Sequence, residues 1–564
     1  MHFSHIIIGG GSSGCVMASR LSQSGANKVL LLEAGPDTPP GKEPANILDS
    51  YPGSAYLDSR FVWMDRRVTV APKGNSDPDR PALQRRYEQG RVIGGSSAVN
   101  GQMANRGVPW DYTEWERRGA KGWGWNDVLP YFRKLERDVD FTGPLHGQDG
   151  PLPIRRVPIN EWPEQAKAFS EALSQAGLPY LADQNADFGD GHYPITISNI
   201  DDHRVTTAMA WLTSEVRARP NLVIRTDATV REICFEGTKV TGVSLENGEA
   251  FNANHVIVCA GALATPELLL RNGIGAADDL RALGMNVRAH QPGVGRGLSD
   301  HPSVAIASFL SPAARLKKRR RHIFLGMRWS TDQAEYPAGD MSALVSTKAA
   351  WHPVGERLGT LALWINRPAS EAGTVSLVSS DRHVAASVAF NLLSDRRDIE
   401  RLKAGFRKMA AVHLAPVLQG VVSDAFPASY SEKVRQVGTI NLRNRILTGI
   451  AAQFMDGPAW MRRKFLELAV MEGDTLASLL ADDSKLDAFV QTAVAGVWHA
   501  SCSCRMGADD DIMAPLDSQG RVKGISGLWV ADASAFPAIP SANTNIPTIM
   551  LAEKIADHVI AMEV

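Results

Sequence analysis

IIIGGGSSGCVMASRLSQSG, residues 6–25, decides the fold. Ile6, Ile7 and Ile8 make a short apolar run of the kind that forms a buried strand. Gly9, Gly11 and Gly14 follow, and the next residues place apolar side chains at helical spacing. A G-x-G-x-x-G between a strand and a helix is the dinucleotide fingerprint. Gly9 permits the tight turn, Gly11 lets backbone approach a pyrophosphate, and Gly14 lets the helix lie close to the sheet. The helix N-terminus then presents free N–H groups and a positive dipole end to the phosphates.

A second apolar run, Val29–Leu32, ends in Glu33. An acid at roughly 20 residues beyond the first glycine is placed to grip ribose hydroxyls, which favours FAD or NAD over NADP. The continuation separates the two. Residues 36–90 are irregular and rich in Pro, Gly and Asp, and they lead to GRVIGGSSAVNGQMANRG at 90–107. A second Gly-rich loop with small hydroxyl residues suits the wrapping of a large flat cofactor.

The composition sets outer bounds. The 564 residues suggest two to four domains, or one large fold with insertions. With 44% hydrophobic and 21% charged residues the chain reads as globular, and the balance of 60 Lys+Arg against 61 Asp+Glu excludes a dedicated nucleic-acid binder. Five cysteines, an odd number, with Cys15, Cys234 and Cys259 in apolar or Gly-rich runs, read as reduced thiols in a cytoplasmic setting. MHFSH runs straight into the first strand, so no signal peptide is expected, and no apolar stretch reaches membrane-spanning length.

Five blocks in order then carry a family resemblance. They are the opening IIIGGGSSGCVMASRLS…VLLLEAG, GRVIGGSSAVNG at 90–101, CAGALATPELLLRNGIG at 259–275, PGVGRGLSDHP at 292–302, and VWHASCSCRMG at 497–507 with LWVADASAFPAIPSANTNIPTIMLAEKIAD at 528–557. The chain resembles the glucose–methanol–choline (GMC) flavoprotein oxidoreductases over nearly its whole length. Within them it is most similar to a bacterial subgroup that oxidises primary alcohols of furan and aryl compounds.

The resemblance implies an α/β fold: a Rossmann-like FAD-binding domain plus a substrate domain with an antiparallel sheet and helices. The FAD-binding domain would be discontinuous, taking 1–155, 203–300 and 491–564, and the substrate domain would take 156–202 and 301–490. Strands are expected at Leu222–Arg225, 228–235, 255–262, 360–365 and 387–393, a hairpin at Asn247-Gly248, and a helix-like run at 203–220.

It also implies the site. FAD would be held by Gly9, Gly11, Ser12, Ser13 and Gly14, with Glu33 and Ala34 beyond them. Arg91, Gly95, Ser96, Asn100, Gly101, Gln102 and Met103 would follow in the second loop, with Trp63 beside the flavin edge. Val230 would meet the adenine through its backbone, near Ala260. Trp498, Asp532, Ala533, Asn543 and Thr544 would close the site. Some relatives bind flavin covalently through a His in the second loop; Val99 stands there in this chain, so the FAD is expected to be non-covalent.

Oxidising an alcohol requires a base for the hydroxyl proton and an acceptor for the α-hydride, flavin N5. A histidine suits the base. His499 matches the family's catalytic His, and Asn543, 44 residues on, matches the second member of the pair. Trp364 and Trp498 are expected to shape the substrate pocket. The spacing His499-x-x-Cys502-x-Cys504 also resembles part of a zinc site, but no partner pair is evident and no metal is expected.

Two further classes share the fold. A flavin lyase or photodecarboxylase would need a pocket for an acyl chain, and a non-catalytic flavin-binding protein would be expected to lack His499 or Asn543. The electron acceptor depends on two surface features, the basic run at 315–321 and the mixed apolar and basic segment 445–470. The plainer reading of the two segments is a solvated loop and a core-packed helix, with O2 as the default acceptor; if they rest on a membrane a quinone becomes reachable and the enzyme would be a dehydrogenase, to which the acceptor reading leans slightly.

Overall fold

The computed structural model describes residues 2–562 except 72–81, 318, 332–335, 430–431 and 472. The opening run forms the strand His2–Ile8, which pairs in parallel with Val29–Leu32 on one side and Ala250–Val258 on the other. Leu222–Arg225 adds beyond Val29–Leu32, and Leu528–Val530 joins Ala250–Val258, both in parallel. An antiparallel meander, Val230–Glu236 and Lys239–Leu245, completes the seven-stranded sheet. Parallel strands buried on both faces read as continuous apolar runs; Ile6, Ile7 and Val29 through Leu31 have no exposed surface. Each such side chain contributes about 1.5–3 kcal/mol on burial.

The helix Ser12–Leu21 begins straight after Gly11 and packs on the C-terminal helix Asn545–Ala561. Gly9 has φ +99°, and a Cβ on Gly14 would lie 1.8 Å from the Gly9 carbonyl oxygen. No other residue fits at Gly14, so the helix can approach the strand only as this sequence allows. Arg20 ties the two helices together through ion pairs to Glu553 and Asp557.

A second sheet is antiparallel, in the order Val422–Ala428, Ser303–Leu310, Leu358–Ile365, Met341–Ser346, Ile323–Trp329, Gly191–Pro194. Strand periodicity divides its faces. Leu361, Leu363 and Ile365 point into a core beneath the helix Arg396–His413, while Thr360, Ala362 and Trp364 point to a cavity between the two sheets.

Three expected elements differ in detail. The 203–220 run forms two short helices, Thr207–Trp211 and Ser214–Arg217, because Thr206 and Thr213 each turn a side chain onto a following N–H and start a new helix. The expected strand at 387–393 is regular only over Ser387–Ala389; Asn391 and Leu393 adopt positive φ and end the extended run. The 445–470 segment is not one core-packed helix. It breaks at Gly457-Pro458 into Leu442–Asp456, Ala459–Phe465 and a π-helical turn Leu466–Val470.

The basic run at 315–321 is largely paired within the fold. Arg315 bonds Asp456, Arg319 bonds Glu161 and Asp202, Arg320 bonds Asp49, and Arg321 is buried. Lys318 lies outside the described residues.

Candidate active site

The two sheets enclose a cavity of about 1590 Å³. A pocket for one drug-sized ligand measures roughly 300–1,000 Å³, so there is room for a dinucleotide and a substrate together. At one end lies the glycine cradle. A Cβ on Gly9 would meet the Cys259 carbonyl oxygen at 2.5 Å, and one on Gly95 would meet the Gly11 Cα at 2.6 Å. A Cβ on Gly11 would have no neighbour nearer than 3.9 Å, so the space before it is open. That open space, at a helix N-terminus, fits a pyrophosphate.

Glu33 stands at the end of its strand as expected. Its two carboxylate oxygens accept the N–H groups of Gly10 and Gly35, each at 2.8 Å. Burial pushes its carboxyl up to about 7. Asp532 is fixed similarly: it accepts from Gly261 N at 2.9 Å, Thr265 Oγ1 at 2.6 Å and Ser534 N at 2.8 Å.

The histidine and asparagine meet in the cavity wall. Asn543 Nδ2 lies 2.9 Å from His499 Nε2, and His499 Nδ1 lies 2.8 Å from His301 Nδ1. With the Asn543 amide donating, His499 Nε2 is the acceptor and its ring proton sits on Nδ1, donated to His301. Burial, and then the neighbouring His301, hold His499 well below the ordinary histidine range. The ring is therefore neutral near pH 7, with its one Nε2 lone pair engaged by the Asn543 amide until a hydroxyl takes that amide's place.

Most of the other expected residues line the same cavity. Ser12, Ser13, Ala34, Trp63, Ser96, Asn100, Gly101 and Met103 do so, as do Val230, Ala260, Trp364, Trp498, Ala533 and Thr544. Three do not. Gly14 lies behind the cradle. Gln102 turns away, its amide bonded to the Asp49 and Ser50 carbonyls and to Asn199. Arg91 places its guanidinium 5.0 Å from the Trp63 ring centroid instead of on the cavity wall. His499, Cys502 and Cys504 are not grouped as metal ligands; among the described residues Glu136, Asp138 and His146 bring ligand atoms close enough to hold an ion, and they are already ion-paired with one another and with Arg156.

Sequence reading missed the residues that hold the loop carrying His499. Buried Asp300 accepts N–H groups from Val497 at 3.1 Å, His499 at 3.0 Å and His301 at 2.8 Å. Tyr87 accepts the Ala500 N–H at 3.1 Å. Glu88 accepts from Trp498 Nε1 at 3.0 Å and from Arg435 at 2.7 Å. Asp300 and His301 lie in the PGVGRGLSDHP block, whose order in the chain was the available signal. Tyr87 and Glu88 lie in the irregular stretch, where no motif marks them.

A dinucleotide cradle and a histidine–asparagine pair opening into one cavity define a cofactor-dependent oxidoreductase. The chain belongs to the GMC oxidoreductases: the family's N-terminal model matches residues 3–303 and its C-terminal model residues 368–552. These are FAD enzymes acting on alcohols. The chain is 40% identical to the 5-(hydroxymethyl)furfural oxidase of Methylovorus sp. (strain MP688), covering 99% of this chain and 98% of that protein. It is 30% identical to the oxygen-dependent choline dehydrogenase of Vibrio vulnificus (strain YJ016), covering 99% and 94%. Among solved structures, pyridoxine 4-oxidase from Mesorbium loti superposes with a TM-score of 0.79 at 26% identity, covering 99% of each chain.

Proposed function

We propose that this protein oxidises aryl or furanic primary alcohols to aldehydes. The observation that carries the reading is the 2.9 Å contact of His499 Nε2 with Asn543 Nδ2 on a cavity wall shared with the tryptophan Trp364. The residues that would hold FAD are Gly9, Gly11, Ser12 and Ser13 around the phosphates, Glu33 at the ribose, Val230 near the adenine, and the second loop from Gly95 to Met103. When bound, FAD supplies the acceptor for the hydride that leaves the alcohol carbon. His499 Nε2 takes the hydroxyl proton, and the Asn543 amide orients the alcohol oxygen beside it. His301 accepts a hydrogen bond from the His499 Nδ1–H and so keeps the base in the required tautomer.

Trp364 supports the aromatic substrate. Its indole N–H is held by Asn366 Oδ1 at 2.9 Å, which fixes the ring, and the small residues Ala305, Thr360 and Ala362 line the cavity on the same sheet. A flat apolar wall suits a planar ring. Benzylic carbon also releases hydride more readily, because the ring shares the developing positive charge. We take O2 as the terminal acceptor, with hydrogen peroxide as product; the names of the furfural oxidase and the oxygen-dependent dehydrogenase support this.

The test is anaerobic bleaching of the bound flavin by benzylic, furanic and straight-chain alcohols of similar size, followed by a peroxide assay in air. Faster bleaching by the aromatic alcohols and one peroxide per aldehyde are expected. A preference for straight-chain alcohols ends the aromatic reading, and aldehyde formed without peroxide ends the oxidase reading.

A further inference from the structure

The helix Leu442–Asp456 is inside out. The residues it buries are Thr448, Ala452 and Met455, while its leucines, isoleucines and Phe454 face solvent. Leu442, Ile446, Ile450 and Phe454 recur every four residues and make one exposed stripe, with Leu447 beside it. Leu442 is 73% exposed. The neighbouring helix Ala459–Phe465 buries nothing fully and carries Trp460 at 72% exposure; Leu468, in the next turn, is at 74%. Phe454 and Phe465 stack at 6.1 Å and join the two helices. Soluble proteins rarely expose a continuous apolar patch of more than a few hundred Å² without a partner for it.

Charge identifies the partner. Arg443, Arg445 and Lys464 are exposed on these helices and make no ion pair with another described residue. Asp456 is already tied to Arg315 and Arg357, which leaves Glu467 as the acid on the last turn. An apolar stripe edged by a tryptophan and by free cations, on helices too short to span, is the pattern of a segment that lies in a lipid headgroup layer. No helix among the described residues is long and apolar enough to cross a membrane. The same excursion of the chain reaches the active site. Val434, 40% exposed, and Gly438 and Val470 line the cavity.

We propose that the exposed face of Leu442–Asp456 and Ala459–Phe465 docks this protein on an anionic lipid surface, with the cavity rim at Val434 turned toward the lipid. This goes beyond the alcohol-oxidation reading and stands without it. The basic run at 315–321 contributes little, since its arginines are paired or buried.

Flotation of the FAD-loaded full chain with vesicles of phosphatidylglycerol and phosphatidylethanolamine, against vesicles of phosphatidylcholine alone, tests this. Binding to the anionic vesicles is expected, weakened by raised salt. The double variant Ile446→Glu/Ile450→Glu should lose roughly tenfold or more in vesicle affinity, because it puts charge on the stripe. Its flavin spectrum and its bleaching by a water-soluble benzylic alcohol should be unchanged, since both side chains already face water. A second variant, Arg443→Glu/Arg445→Glu, should abolish the preference for anionic vesicles. Failure of the native protein to float overturns the proposal. So does a native dimer in light scattering that the Glu substitutions convert to monomer, which would make the stripe's occupant a second copy of this chain.

Discussion

Asp300 carries the backbone of His499: its Oδ1 accepts the His499 N–H at 3.0 Å and the Val497 N–H at 3.1 Å. The same oxygen accepts the His301 N–H at 2.8 Å. One buried carboxylate oxygen thus sets the positions of both rings in the histidine pair. Burial pushes its carboxyl up to about 7. Removing it should strand three donors, each costing about 1–3 kcal/mol when buried unpaired. Asp300→Ala is therefore expected to lower the unfolding temperature and to slow flavin reduction more than it weakens substrate binding. Asp300→Asn keeps an acceptor oxygen and should recover most of both. Stopped-flow reduction kinetics and thermal unfolding of the two variants check this; equal damage from Asn and Ala counts against it.

His499→Ala should retain FAD and slow flavin reduction about 10²–10⁴-fold, the range for a lost general base. Asn543→Ala should do less harm, because it removes an orienting hydrogen bond and leaves the base in place. An unchanged reduction rate in His499→Ala rules out the proposed base.

Val99 lines the cavity in the second loop and has no nucleophile to attach a flavin. Acid precipitation of the holoprotein is expected to release all yellow colour to the supernatant. Colour retained in the pellet contradicts non-covalent binding.

Buried histidines are expected to make the fold sensitive to acid. Burial pulls His5 and His322 down to about 3, and His352 and His413 to about 4. Their folded values lie below 6.5, so the unfolded chain takes up protons first. Their contribution is fully present above pH 6.5 and is lost as pH falls from there toward 4, by about 1.4 kcal/mol per unit for each residue. Glu33 and Asp300, raised to about 7, favour the folded state in acid and offset part of this; the low values of His301 and His499 add to the loss. The urea midpoint at saturating FAD should be lower at pH 5 than at pH 7.5. An equal or higher midpoint at pH 5 would refute the sign.

Local steric demands were legible in the sequence. The Gly9–Gly11–Gly14 spacing between apolar runs specifies a strand, a tight turn and a close helix, whatever surrounds it. Trp364 and Val230 were legible only through resemblance, because nothing in their own neighbourhoods distinguishes a cavity wall from a core. The Asp300–His499 bond was not legible: 199 residues separate the partners, and a carboxylate that accepts backbone N–H groups leaves no pattern in side-chain chemistry. Gln102 and Arg91 sit in the right loop but turn elsewhere, since a motif places a backbone and not the direction of each side chain. Apolar content in 445–470 likewise said nothing about which face looks inward.

The central sheet has a consequence for synthesis of the protein. Val256 through Val258 pair on one side with Ile6 through Ile8 and on the other with Leu528 through Val530. At roughly 5–20 residues per second, a ribosome needs on the order of half a minute or more to travel from one partner to the other. Throughout that interval the cofactor-binding sheet has an open, apolar edge, which is the kind of surface that recruits foreign strands. The sheet can close only when Leu528–Val530 emerges, and a chain cut before that strand is expected to keep Val256 through Val258 open on that side.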